Sequence, residues 1–202
     1  MDDAIVTKAK RHLNRVDPIM AVLINSHTPF SLVRKKTNPY HALVQTIVNQ
    51  QLSIKAGQTI FSRLLELQGG RVLKAEKIVA LTQSQIQKCG ISKNKTRSIQ
   101  TITQAVVNKA LNFKKLEKLD DEAAMSELIE YPGIGQWSAE IFLMTSFNRP
   151  DILPIGDLVL RKSMQKHYSI ASDAHLDDYL DIANAWRPFR TIASRYLWAA
   201  YH

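Results

Sequence analysis

Cysteine occurs once in the 202 residues, as Cys89. That excludes an intramolecular disulfide framework, a Cys-rich zinc site and a four-cysteine iron–sulfur cluster. Glycine and proline are scarce, 7 of each, about 7% of the chain together against roughly 12% in average usage. So few turn-formers over this length imply long unbroken segments. No run approaches the roughly eighteen consecutive apolar residues of a membrane-spanning helix, and the opening MDDAIVTKAKRHL is too polar for a signal peptide. Gly-rich phosphate loops, His-Glu-x-x-His and Gly-x-Ser-x-Gly are all missing. His12, His27, His41, His167, His175 and His202 include no pair at metal-ligand spacing on one helix turn. A zinc hydrolase, a kinase and a serine hydrolase are therefore poorly supported.

What is present is a composition that folds, 45% hydrophobic and 22% charged. The length suits one large domain or two small ones with a real core. Acidic residues number 18 against 27 Lys and Arg, for a formal net charge of +9. An anionic partner is implied, nucleic acid first, with a merely solvated basic surface as the alternative. The expected compartment is the cytoplasm (nucleoid) of a bacterium or archaeon, or the nucleus of a eukaryote.

Apolar residues recur at helical spacing in Leu43, Val44, Ile47 and Val48, in Ile60, Phe61, Leu64 and Leu65, and in Ile99, Ile102, Ala105 and Val106. Thr82-Gln83-Ser84-Gln85 reads as a capping box, with Lys88 and Gly90 ending that short helix. Period-two alternation between hairpin turns is missing. The pattern predicts an all-α chain of about ten helices, in two lobes with an intimate interface.

The most informative segment runs from Leu128 to Glu140, where Pro132-Gly133-Ile134-Gly135 separates two helical stretches. Glycines let a backbone turn sharply and approach another molecule closely. The helix that follows would begin with exposed N–H groups and a positive dipole end, which suits a phosphate. A plain tight turn between helices is the other reading.

With this hairpin, three further islands complete a pattern: His41 to Ser53, Leu153-Pro154-Ile155-Gly156-Asp157, and Trp186-Arg187-Pro188-Phe189-Arg190 running to Trp198. In order and spacing they resemble the helix–hairpin–helix DNA glycosylase superfamily, and within it the alkylated-base branch, the DNA-3-methyladenine glycosylase II enzymes. The resemblance covers roughly Thr37 to Trp198. It implies two helical lobes with an active-site cleft between them. Residues 33–147 would form the central lobe with the hairpin at 128–140. Residues 1–32 and 148–202 would form the second.

Asp157 is then the expected catalytic carboxylate. Breaking an N-glycosidic bond builds oxocarbenium-like charge on the sugar, which a fixed carboxylate stabilises while orienting or deprotonating water. From its neighbours alone Asp157 also reads as the N-cap of a helix beginning Leu158-Val159-Leu160, and the two roles are compatible. Trp137 stands where strand-cleaving relatives carry a Schiff-base lysine, so the resemblance implies a monofunctional enzyme without AP-lyase activity. Its indole, Trp198 and Tyr40 are expected to line the base pocket, where an aromatic face attracts a cationic alkylated purine.

A flipped base leaves a gap that a side chain must fill, and Gln51, with Leu52 beside it, is expected to be that wedge. Gly133, Gly135 and Gln136 would contact the DNA backbone through main-chain N–H groups. Lys93, in a basic cluster with Lys95 and Arg97, would approach phosphates. By resemblance the main-chain carbonyls of Ile129, Tyr131 and Ile134 could hold a structural Na+ or K+; no cofactor is required. The implied protein is a monomer that binds damaged double-stranded DNA, flips the base and hydrolyses its glycosidic bond in base-excision repair of alkylation damage, with 3-methyladenine first. A glycosylase for mismatched or oxidised bases, or a non-catalytic damaged-DNA-binding protein, stands as the alternative.

Overall fold

The computed structural model describes residues 3–29 and 38–201, and among them all regular structure is helical. In chain order the helices are α1 (Asp3–Val16), α2 (Pro18–Ser26), α3 (Pro39–Asn49), α4 (Ile54–Gln68), α5 (Ala75–Ile78), α6 (Gln83–Lys88), α7 (Lys93–Val107), α8 (Phe113–Leu116), α9 (Asp121–Ile129), α10 (Gln136–Ser146), α11 (Leu158–Tyr168), α12 (Leu176–Asn184) and α13 (Arg190–Tyr201). The excess over the ten expected lies in single turns such as α5 and α8. Four residues hold too little periodicity to be read as helix from sequence.

Helix starts follow local chemistry. Asp17, Asn38, Ser53, Ser92 and Asp120 each accept main-chain N–H groups of the first turn, and Pro18 and Pro39 occupy first positions where no N–H is needed. The Thr82–Gln85 capping box forms in both directions.

The chain divides into two compact units, Met1–Lys35 with Asn148–His202, and Lys36–Phe147. The boundary expected at residues 32 and 33 falls outside the described residues. In the first unit, Leu13, Met20, Leu160, Met164, Trp186 and Leu197 are fully buried together. Asp17 is buried among them and its hydrogen bonding is well satisfied. Its Oδ1 accepts from the N–H groups of Ile19 and Met20 at 2.9 Å, and its Oδ2 from Tyr168 Oη and Trp186 Nε1 at 2.7 Å. In the second unit α3 is the central element, packed by α4, α7 and α10. Leu43, Val44 and Ile47 of α3, Ile99 and Ile102 of α7, and Phe142 and Leu143 of α10 are all fully buried. Each such side chain contributes about 1.5–3 kcal/mol through apolar burial. This core fixes α3 and α10, and so fixes the loop after one and the hairpin before the other.

Candidate active site

Asp157 caps α11. Its Oδ1 accepts the Leu160 N–H at 2.8 Å and Trp198 Nε1 at 3.0 Å. The preceding loop is tight, with Ile155 N–H donating to Leu153 O and Asp157 N–H to Pro154 O. Gly156 has open space where a Cβ would stand. A partly exposed carboxylate is thus held by a main-chain donor and an indole.

The start of that loop is fastened to the first turn of α13. Arg190 grips Asp151 with Nε to Oδ1 at 2.9 Å and Nη2 to Oδ2 at 3.1 Å, and Arg187 Nη1 reaches Oδ2 at 2.9 Å. Thr191 Oγ1 accepts from Ile152 N–H and donates to Arg149 O. One helix therefore holds the Asp157 loop at both ends, through Arg190 and Thr191 at its start and Trp198 farther along. Trp186 of the same island is fully buried core, where it supports Asp17.

In the second unit the hairpin turns at Gly133, whose φ of 86° lies in the left-handed region. A Cβ there would also collide with the Ser98 side chain of α7, so conformation and packing both require glycine. Gly135 differs. Its backbone is extended, φ −90°, and nothing in the protein lies within 4 Å of where its Cβ would be. It is the N-cap of α10, and no side chain caps that helix. Trp137 sits partly exposed at the second position of α10. Gln136 turns its amide to Glu140 Oε1 at 3.0 Å. Glu140 is 4% exposed, and burial raises its pKa above the usual carboxylate value.

The segment after α3 carries Gln51 at φ 56°, exposed, next to Leu52, which is 39% exposed. Gln50 was not singled out from sequence, yet it ties this segment to the hairpin. Its Nε2 donates to Gly133 O and to Ser138 Oγ, both at 2.8 Å. Lys95 corrects an expectation. Its ammonium does not stand with Lys93 and Arg97 in solvent but turns inward, donating to Val48 O at 2.9 Å and Gln50 O at 2.6 Å. The carbonyls ending α3 lack helical partners, and a cation suits the negative end of the dipole there. Tyr40 is the second correction. It is 4% exposed, and its hydroxyl shares a 2.7 Å hydrogen bond with Thr103 Oγ1. Burial takes the phenol pKa well above the ordinary value. It is a satisfied core tyrosine that offers no ring face to a ligand. His41 is structural too. Its Nδ1 accepts the Leu73 N–H at 3.1 Å, and desolvation lowers its pKa.

Residues 44–188, which include the hairpin and the Asp157 loop, match a known family model, that of HhH-GPD superfamily base excision DNA repair proteins. The chain belongs to that superfamily. It is similar to DNA-3-methyladenine glycosylase 1 of Schizosaccharomyces pombe, 30% identical over 96% of this chain and 86% of the relative. The solved structure of that yeast's 3-methyladenine DNA glycosylase in complex with abasic DNA superposes with a TM-score of 0.85, at 28% identity, covering 95% of each chain. A DNA-3-methyladenine glycosidase from Bacillus halodurans superposes with a TM-score of 0.80 at 30% identity, over 99% of this chain and 90% of that one. The fold is that of the base-excision-repair DNA glycosylases. Among the described residues no helix is long and apolar enough to cross a membrane, and no three His, Cys, Asp or Glu side chains gather to hold a metal ion.

Proposed function

We propose that this HhH-GPD protein is a monofunctional DNA glycosylase that removes alkylated purines, 3-methyladenine first, from duplex DNA by flipping the base and hydrolysing its N-glycosidic bond. The observation that carries the reading is Asp157, a partly exposed carboxylate fixed by the Leu160 N–H and Trp198 Nε1. An N-alkylated purine already bears positive charge, so the base leaves readily without a strong general acid. The protein must instead stabilise the positive sugar and guide water to it, and a preorganised carboxylate does both. A pure DNA binder has no use for a carboxylate beside a polyanion. Similarity to relatives named for 3-methyladenine supports the choice of base.

Trp137 at the start of α10 supports the absence of AP-lyase activity, because an indole cannot form a Schiff base with the sugar. Its face suits a cationic base, worth roughly 0.5–2 kcal/mol, and the Trp198 indole, beside Asp157, offers a second aromatic for such a base. Gln51, with Leu52, is the wedge; their exposure favours that use. The missing Cβ of Gly135, needed neither for φ nor for packing, leaves room for a phosphate beside the N–H groups opening α10, with Gly133 and Gln136 adjoining. Lys93, exposed at the start of α7, is a further phosphate contact. Main-chain carbonyls of Ile129, Tyr131 and Ile134 are hard oxygen donors that fit Na+ or K+. Tyr131 O already accepts the Ile134 N–H at 3.1 Å, and a carbonyl's second lone pair remains for an ion. Such an ion would stiffen the hairpin; the reaction itself needs no cofactor. The protein acts as a monomer.

The test is chromatography of bases released from methylated duplex DNA by wild type and by Asp157→Asn, with strand cleavage followed in parallel. Free 3-methyladenine from wild type alone, with intact abasic strands, is the expected result. Tight DNA binding without release of any methylated purine overturns the reading.

A further inference from the structure

We propose that Lys95 is a positioning residue for base flipping, acting inward on the loop that carries the wedge rather than outward on phosphate. The proposal rests on the reading of Gln51 and Leu52 as the wedge. The carbonyl of Gln50 belongs to the peptide bond that enters Gln51, and Lys95 Nζ holds it at 2.6 Å while also holding Val48 O at 2.9 Å. The ammonium thus fixes the peptide plane from which Gln51 departs into its left-handed conformation, φ 56°. A residue with a Cβ occupies that region only when its surroundings hold it there.

Two further elements clamp the same loop. Gln50 Nε2 joins it to the hairpin through Gly133 O and Ser138 Oγ at 2.8 Å. On the other side Asn49 lies so close to Gly57, in the first part of α4, that any side chain at residue 57 would strike it. Residues 49 and 50 are therefore held from α4, α7 and the hairpin, and the exposed Gln51 and Leu52 project from a rigid base. A wedge that is ordered beforehand spends no binding energy on its own ordering when the base leaves the stack. Two of the three ammonium hydrogens of Lys95 are used inside the protein. Lys93 and Arg97, on the same helix, are exposed, which is how a side chain reserved for phosphate stands.

The experiment compares wild type, Lys95→Met and Lys95→Arg by three readouts. These are 2-aminopurine fluorescence in a duplex with the probe beside the lesion, single-turnover base release from methylated duplex, and the salt dependence of Kd on undamaged duplex. Lys95→Met should slow release roughly tenfold to a hundredfold and reduce the fluorescence rise. The slope of log Kd against log salt should stay at the wild-type value, and Lys95→Arg should recover most of the rate. A slope smaller by about one, as expected for a lost phosphate contact, or wild-type flipping and release by Lys95→Met, overturns the proposal. Should Lys95→Met fail to fold, Gln50→Met, which cuts the link to Gly133 and Ser138, carries the same expectation and the same overturning results. A Gln51→Ala/Leu52→Ala double variant is run alongside. Normal flipping by that variant overturns the wedge reading itself. Normal flipping by Lys95→Met beside an impaired double variant overturns the Lys95 proposal alone.

Discussion

Trp198 Nε1 donates to Asp157 Oδ1 at 3.0 Å, across 41 residues of sequence, and the same oxygen accepts the Leu160 N–H. The carboxylate is thus held from two helices, its own α11 and the neighbouring α13. Ser163 Oγ, donating to Leu197 O at 2.6 Å, pins those helices together beside it. Geometry of this kind prevents the carboxylate from swinging to follow a phosphate or a solvent cation.

Asp157→Asn retains an Oδ1 acceptor for both donors and loses the charge. Single-turnover base release should fall by at least about 10²–10³-fold, with Kd for undamaged duplex unchanged or tighter because a like charge has gone. Trp198→Phe leaves the carboxylate one donor short. A loss of roughly tenfold to a hundredfold in rate is expected, the size of one hydrogen bond to a charged group. Wild-type single-turnover rates in Trp198→Phe would show that the indole hydrogen bond does not position Asp157.

The two hairpin glycines should respond differently to alanine. Gly133→Ala forces a Cβ into the left-handed region and against Ser98, and should destabilise the protein by about 1–3 kcal/mol. Gly135→Ala meets nothing within the protein, so its melting temperature should stay within about a degree of wild type. Its DNA affinity should still drop, because the added methyl stands where a phosphate would approach. Melting curves and a DNA titration on the pair decide this, and unchanged affinity in Gly135→Ala removes that contact from the interface.

Glu140 gives stability a pH signature. Burial raises its folded pKa above the unfolded value of 4.5, so the folded state binds the proton more tightly. The stability this supplies is present in acid and is lost as pH rises through the window between the unfolded and folded values. At neutral pH the buried charge is a net cost. Glu140→Gln keeps an oxygen to accept from Gln136, and should raise Tm at pH 7, with the gain shrinking as pH falls toward 4. A pH-independent difference in Tm would assign the effect to packing instead.

Asp17→Ala removes a cap from α2 and strands two buried donors, Tyr168 Oη and Trp186 Nε1. A loss of about 3–5 kcal/mol is expected, read as a drop in Tm of roughly 10 °C for a chain of this size. Base release by the fraction still folded should be little changed, since Asp17 touches no part of the Asp157 loop by any of these four bonds. A drop of only a degree or two would mean that water replaces the carboxylate.

Interactions within about four residues were open to reading from sequence, and they established much of this molecule. The apolar spacing of Leu43, Val44, Ile47 and Val48 marks the central helix because a 3.6-residue period can bury only one stripe. Thr82 and Gln85 close their capping box across three residues. Asp157 heads α11 as an N-cap because its side chain reaches the N–H three residues on, and the Pro-Gly-Ile-Gly turn separates two helices for equally local reasons. The order of those segments along the chain was enough to point to the superfamily.

Partner choice over long distances was decided by tertiary packing. Tyr40 is expected from the sequence to line the base pocket, but Thr103, 63 residues away, takes its hydroxyl into the core. Lys95 shares a basic run with Lys93 and Arg97, and only the position of the α3 C-terminus 45 residues earlier turns its ammonium inward. Gln50 reaches 83 residues forward to the hairpin, and Asp151 and Arg190 meet across 39. Sequence determines which short segments form helices, caps and turns, because those energies depend on neighbours along the chain. Which polar side chain satisfies which buried carbonyl or carboxylate depends on the helices having packed first, since only packing brings such groups together and removes the water that would otherwise serve them.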